Sequence, residues 1–247
     1  INGIIKLANG NIRPLLANLS NGANSTTVTD AGTYFKVGQK IVISDDNQPI
    51  NGGGAWKTRK VGQTNTIQSI IGNTITFTNA FSNWFNGGVT TGANARISQA
   101  NNAFIIDGSN NVLISGNGII DGNLANQFNI AGAIYNRTIE DLVSSCGITF
   151  NGVVNLKIIG SLTITGFVFH GISTTGVTGA TSSNCLINGV TFDANVDKAI
   201  AGLNLVNSII SNCNNFNGID EGEIVLYNGC KNVLITNIFS RNNRRYG

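Results

Sequence analysis

Charge is what this chain has least of. Asp, Glu, Lys and Arg make up 11% of its 247 residues, against about 25% in an ordinary soluble protein. The net charge of +3 is too weak for a dedicated nucleic-acid binder, which shows a basic stripe with interleaved aromatics. The one basic cluster, Arg241, Arg244 and Arg245, lies at the very end. No apolar run reaches the roughly 18 residues of a membrane span, so no membrane span is expected. No signal peptide is visible, and the first residue is Ile rather than Met, which suggests processing or excision from a longer chain. The four cysteines (Cys146, Cys185, Cys213, Cys230) show no C-x-x-C spacing. Neither a disulfide framework nor a zinc site is indicated, and buried free thiols are the expectation. Proline occurs twice and histidine once, at His170.

What fills the space is Asn, with 39 residues, and Gly, with 31. Hydrophobic content is 41%, too high for disorder. The surface must therefore be carried by Asn, Ser, Thr and Gly, which is neutral, hydrogen-bonding and suited to sugars. The Asn residues are also ordered along the chain. A phrase N-Φ-x-I, with Φ usually apolar, starts at Asn111, Asn155, Asn184, Asn207 and Asn232, with steps of 44, 29, 23 and 25 residues. The long first step contains an insertion. Strand-type repeats of 20–30 residues mean a solenoid. After each anchoring Ile comes a turn and a second apolar pair, at Ile119-Ile120, Leu162-Thr163-Ile164, Val190-Thr191-Phe192 and Ile238-Phe239. A third short strand starts at Ile148, Ile172, Ile200 and Ile224. Strands this short bury a face only when each pairs with its equivalent in the next rung, about 4.8 Å away. The fold class is therefore all-β, a parallel β-helix that is right-handed by the crossover rule. The recurring Asn reads as structural, because at a corner it tolerates left-handed backbone angles and can form an amide ladder along the axis.

Residues 1–102 lack this ladder. Strand-like runs at Thr27–Asp30, Val37–Ser44, Thr66–Ile70 and Asn73–Thr78, with a hairpin at Ile71-Gly72, make them a β-rich N-terminal cap over the first open rung. Residues 103–247 are the β-helix. Residues 123–145 are an insertion of the kind that walls a binding groove, and the segment 139–143 could form a helical turn. Gly247 falls where the next strand of the repeat should begin, so the chain reads as truncated at its C-terminus.

The ionisable residues concentrate in one column of turns. Aligning Ile164, Phe192, Phe216 and Phe239 as equivalent stacks His170, then Asp193, Asp197 and Lys198, then Asp220, Glu221 and Glu223, then Arg241, Arg244 and Arg245. Carboxylates on adjacent rungs lie about 5 Å apart and two rungs apart about 10 Å. Two carboxyls about 5 Å apart suit a retaining glycosidase, and about 6.5–9.5 Å an inverting one. Asp193 or Asp197 with Glu221 or Glu223 meets either condition, and Asp121 shares the column of Asp193 two rungs earlier. One carboxyl would protonate the glycosidic oxygen; the other would activate water or attack the sugar. His170, Lys198, Arg241, Arg244, Arg245 and Tyr135 are the candidate substrate-binding residues. No resident metal or cofactor is expected for a hydrolase. In the alternative chemistry, β-elimination of a uronate, Asp193, Asp197 and Asp220 would hold Ca²⁺ and Lys198, His170 or an Arg would act on the proton. Against any catalytic role stands the plainer reading of neighbouring-rung ion pairs on a solvated surface. Trp84 and Phe85, beside two glycines, are candidates for stacking on sugar rings or for packing in the cap.

The stretch 111–123 (NVLISGNGIIDGN) followed by the N-Φ-x-I rungs resembles the pectate-lyase-like right-handed β-helix superfamily. The ending SRNNRRYG (240–247) and the phrases VGQKIVISDD (37–46) and IIGNTITFTNAF (70–81) resemble bacteriophage tailspikes. That resemblance implies a homotrimeric, extracellular or virion-surface protein that binds, and often depolymerises, a host surface polysaccharide. The polygalacturonase branch fits less well: of its motifs only His170-Gly171 is kept, and it precedes the acidic residues. The competing class is a non-catalytic solenoid, a glycan-binding adhesin or structural fibre.

Overall fold

The computed structural model describes residues 1–8, 10–20, 22–44, 62–81, 95–99, 101–126, 146–167, 169–174, 180–218, 224–227 and 229–243. It divides into two compact units, one of residues 1–8, 102–124 and 145–247, the other of residues 9–101 and 125–144. Among the described residues the helices are one α-turn, Ala31–Tyr34, and one 3₁₀ turn, Leu124–Asn126. None is long and apolar enough to cross a membrane.

The first unit is a parallel β-helix of three sheets. The first sheet takes Phe104–Asp107, Ile148–Asn151, Ile172–Thr174, Ile200–Gly202 and Ile224–Leu226. The second takes Leu113–Gly116, Lys157–Gly160, Leu186–Asn188, Leu205–Ser211 and Lys231–Thr236. The third takes Ile119–Asp121, Thr163–Thr165, Thr191–Asp193, Asn214–Phe216 and Phe239–Arg241. Each turn of chain gives one strand to each sheet, and every one of these pairings is parallel. The third sheet is extended by Ile4–Lys6, which pairs in parallel with Ile119–Asp121. The first eight residues therefore belong to the solenoid unit, because an open parallel edge is satisfied by whichever extended segment reaches it.

Period-2 patterning sends alternate residues inward, where they stack. Ile148, Ile172 and Ile200 line the first sheet and Ile120, Ile164 and Phe192 the third, all fully buried. Ile114, Ile158, Ile187 and Ile210 line the second. Each side chain of this size contributes about 1.5–3 kcal/mol on burial. Cys185 and Cys213 occupy the same core, and all four cysteines are free.

The corners show why Asn is so abundant. Asn111, Asn155, Asn184, Asn207 and Asn232 all sit at φ between 49° and 59°, the left-handed region that Asn tolerates best after Gly. Asn155 Nδ2 donates to Asn111 Oδ1 at 3.0 Å, and Asn232 Nδ2 to Asn207 Oδ1 at 3.0 Å. Two more columns of the same kind exist. The corner between the second and third sheets runs Gly116, Gly160, Gly189, Asn212, Asn237, all at positive φ. A Cβ on Gly160 would lie 2.4 Å from the Gly116 carbonyl oxygen, so the early rungs approach too closely there for a side chain. Later rungs admit Asn, and Asn237 Nδ2 donates to Asn212 Oδ1 at 3.1 Å. The corner after the third sheet ends in Asn217 and Asn242, joined at 3.3 Å.

The second unit is an antiparallel sheet in the order Ile12–Pro14, Arg96–Gln99, Lys40–Ser44, Gly62–Ile71, Thr74–Phe77, Ser25–Thr27. Its core holds Val28, Phe35, Ile41, Ile43, Ile67, Ile75, Phe77, Phe81 and Ile97. The hairpin turns at Gly72, φ 57°. The helical turn expected at 139–143, Trp84 and Phe85 lie outside the described residues.

Candidate functional site

The ionisable column splits in two, and the split follows the pleat. His170, Asp197 and Lys198 stand at the corner between the third and first sheets, on the run-in to the strands at Ile172 and Ile200. All three are buried, with 0%, 2% and 3% of their surface exposed. The corner is apolar on either side of them: Phe167, Phe169 and Val196 are buried, and Phe169 packs on the His170 ring at a centroid distance of 4.0 Å. Buried Asn195 ties it together, its carbonyl oxygen accepting the Phe167 N–H at 3.1 Å and its amide donating to the Ile164 carbonyl at 3.0 Å.

Inside this corner Lys198 Nζ donates to Asp197 Oδ1 at 3.1 Å. The Lys198 backbone N–H donates to His170 Nδ1 at 3.3 Å, while Asp197 Oδ2 lies 3.7 Å from the same nitrogen. Cys146 stands in the same column one rung before His170, its thiol pushed far up first by burial and further by the Asp197 charge. These groups were expected on an open turn facing substrate. The structure places Asp197 within the wall, paired to Lys198.

Asp193 has the opposite fate. It ends a third-sheet strand and faces outward, half-buried, its Oδ1 accepting Asn217 Nδ2 at 2.9 Å. Its register column is Lys6, Asp121, Thr165, Asp193, Phe216, Arg241. Asp121 is thus two rungs away on the same outward face. Asp121 Oδ2 meets Lys6 Nζ at 3.4 Å, and Oδ1 accepts the Asn123 N–H at 2.6 Å. Asp193 and Asp197 lie in different environments, one outward and one enclosed, so they do not share a Ca²⁺ site. Among the described residues no group of three or more His, Cys, Asp or Glu is placed to hold a metal. Glu221, Glu223, Asp220, Arg244, Arg245 and Tyr135 lie outside the described residues.

One sequence alignment fails here. Phe192 pairs with Asn215 and not with Phe216, and Asn215 with Ser240 and not with Phe239. A slip of one residue moves a side chain to the other face. Asn215 therefore points inward and is buried, and Phe216 and Phe239 point outward beside Arg241. Their rings meet edge to face at 6.0 Å and 74°. The Arg241 guanidinium lies 4.7 Å from the Phe216 ring centre and 6.0 Å from that of Phe239. The outward face of the third sheet is thus a row of carboxylates, amides, hydroxyls, aromatic rings and cations at rung spacing.

No protein-family model matches the chain, and no curated protein matches it. Solved structures do. A protein from Parabacteroides merdae titled a "putative glycosyl hydrolase" matches at TM-score 0.44 and 18% identity, over 57% of this chain and 62% of its own. The tailspike protein gp49 from Pseudomonas phage LKA1 matches at TM-score 0.31 and 13% identity, over 96% of this chain and 43% of its own. The Gp54 tailspike of Acinetobacter baumannii bacteriophage AP22, solved with a capsular saccharide, matches at TM-score 0.30 and 12% identity, over 97% and 51%. The chain thus spans less than two thirds of each.

Proposed function

We propose that this chain is the β-helix of a tailspike-type protein that binds and hydrolyses an extracellular polysaccharide on the outward face of the third sheet. The observation that carries this reading is the register column Asp121–Thr165–Asp193. It sets two carboxylates on one face, about 10 Å apart along the axis before side-chain movement. That is near the spacing at which a water fits between an inverting acid–base pair. One of the pair would serve as the acid and the other as the base. Glu221 and Glu223 remain candidates for a partner of Asp193 on the next rung. Homotrimeric assembly and a place on a virion tail or outside the cell follow from the sequence resemblance.

The second reading is a saccharide binder without catalysis. The Lys6–Asp121 and Asn217–Asp193 contacts favour it, since both carboxylates are already partnered. A panel of bacterial capsular, O-antigen and plant polysaccharides separates the readings. New reducing ends, without the ultraviolet absorbance of unsaturated uronates, are expected from the wild type. Asp193→Asn should abolish them with binding retained. Absorbance would turn the reading to a lyase. Binding without new ends in the wild type would leave a binder.

A further inference from the structure

At the last two described rungs, the outward face carries an arrangement that the carboxylate pair does not use. Phe239, on the last described strand, is 54% exposed. The Arg241 guanidinium lies over the Phe216 ring and makes no hydrogen bond or ion pair among the described residues. The nearest described acid in its register column, Asp193, is two rungs away, about 10 Å, and bonded to Asn217.

We propose that Phe216, Phe239 and Arg241 form a subsite for a carboxylate-bearing sugar unit, a proposal that rests on reading the third-sheet face as the saccharide surface. A guanidinium stacked on a ring uses its flat face and leaves its edge donors open. Those donors form the planar fork that matches a carboxylate in two parallel hydrogen bonds. The Phe216 ring holds the fork in one plane, so less side-chain freedom is lost when the anion arrives. The exposed Phe239 ring, set edge-on to Phe216, offers its face to the C–H face of a pyranose. A neutral sugar would leave Arg241 idle, whereas a uronate fills both halves at once.

Affinity electrophoresis tests this on the full chain. Gels contain carboxylate-bearing capsular polysaccharides, each beside its carboxyl-reduced form, which differs only in the charge. The wild type should bind the acidic form about fivefold more tightly, the upper end for an exposed ion pair. Arg241→Gln should bind both forms as the wild type binds the reduced one, and Phe239→Ala should weaken both equally. Both side chains are exposed, so the variants fold. Equal loss on carboxyl reduction in wild type and Arg241→Gln would overturn the subsite and leave the saccharide face standing. Retardation by none of the polymers would overturn both.

Discussion

Replacing Lys198 by Met separates a structural Asp197 from a catalytic one. The two side chains are each 3% exposed and meet at 3.1 Å. Methionine keeps the length of the lysine stem and removes its charge. The variant therefore removes the lysine charge from beside a carboxylate in the wall of the solenoid, which costs about 3–5 kcal/mol. For a chain of this size each kcal/mol lowers Tm by roughly 2–4 °C, so a fall of about 6–20 °C is expected. Urea titration and calorimetry read it directly. Adding Asp197→Asn should recover most of the loss, because both ions are then gone and the remaining amide is neutral. A Lys198→Met variant within about 1 kcal/mol of wild type, inside the range of exposed pairs, would refute the buried pairing. Asp197→Asn with full stability and no cleavage would return Asp197 to catalysis.

Three further outcomes follow from the same geometry. The thiols of Cys146, Cys185 and Cys213 are all raised in the fold, first by burial. The folded state keeps protons that the unfolded chain loses above about pH 8.5, so stability holds below that pH and declines as pH rises past it; urea midpoints measured up to about pH 10 should show the decline, shallower in Cys146→Ala. Asn155→Ala loses the 3.0 Å ladder bond to Asn111 and puts a Cβ residue without a compensating amide at φ 59°. It should cost about 1–2 kcal/mol in a urea melt, and Asn155→Gly less. Gly171→Ala would set a Cβ 2.5 Å from the Phe192 ring and 2.8 Å from the Ala199 oxygen, an overpacking worth about 1–3 kcal/mol by the same measurement.

The solenoid was legible because its two strongest signals are local. Ile columns follow from period-2 patterning, and left-handed corners select Asn, so N-Φ-x-I marks both at once. The further Asn columns at 212/237 and 217/242 were less visible, because Gly, and at one rung Ala194, holds those corners earlier and the phrase does not repeat. The alignment of Phe192 with Phe216 and Phe239 failed for a different reason. Matching Phe192 to Phe216 by residue type hid a one-residue slip that counting would have shown: Phe192 lies eight residues after its corner Asn184, and eight after Asn207 comes Asn215. That slip turned two outward rings inward and concealed the surface beside Arg241.

The burial of Asp197 and Lys198 has no comparable signal, since consecutive charges in a turn read as surface. What encloses them is the run Phe167, Phe169 and Val196, whose apolar side chains draw the corner into the wall. Asp193 escapes because it precedes that run and still obeys the strand's alternation, whereas Asp197 follows it and obeys the corner. In a chain so poor in charge, distance from the strand end, more than the density of acids in the sequence, therefore decides which carboxylates face outward. By the same rule Asp121, and not Asp197, shares the outward face of Asp193, although it lies 72 residues earlier in the chain. Asp121→Asn should accordingly depress cleavage as deeply as Asp193→Asn, while Asp197→Asn changes stability first. A hydrolase that keeps full turnover in Asp121→Asn would place the second carboxylate elsewhere, and Glu221→Gln and Glu223→Gln would then identify it.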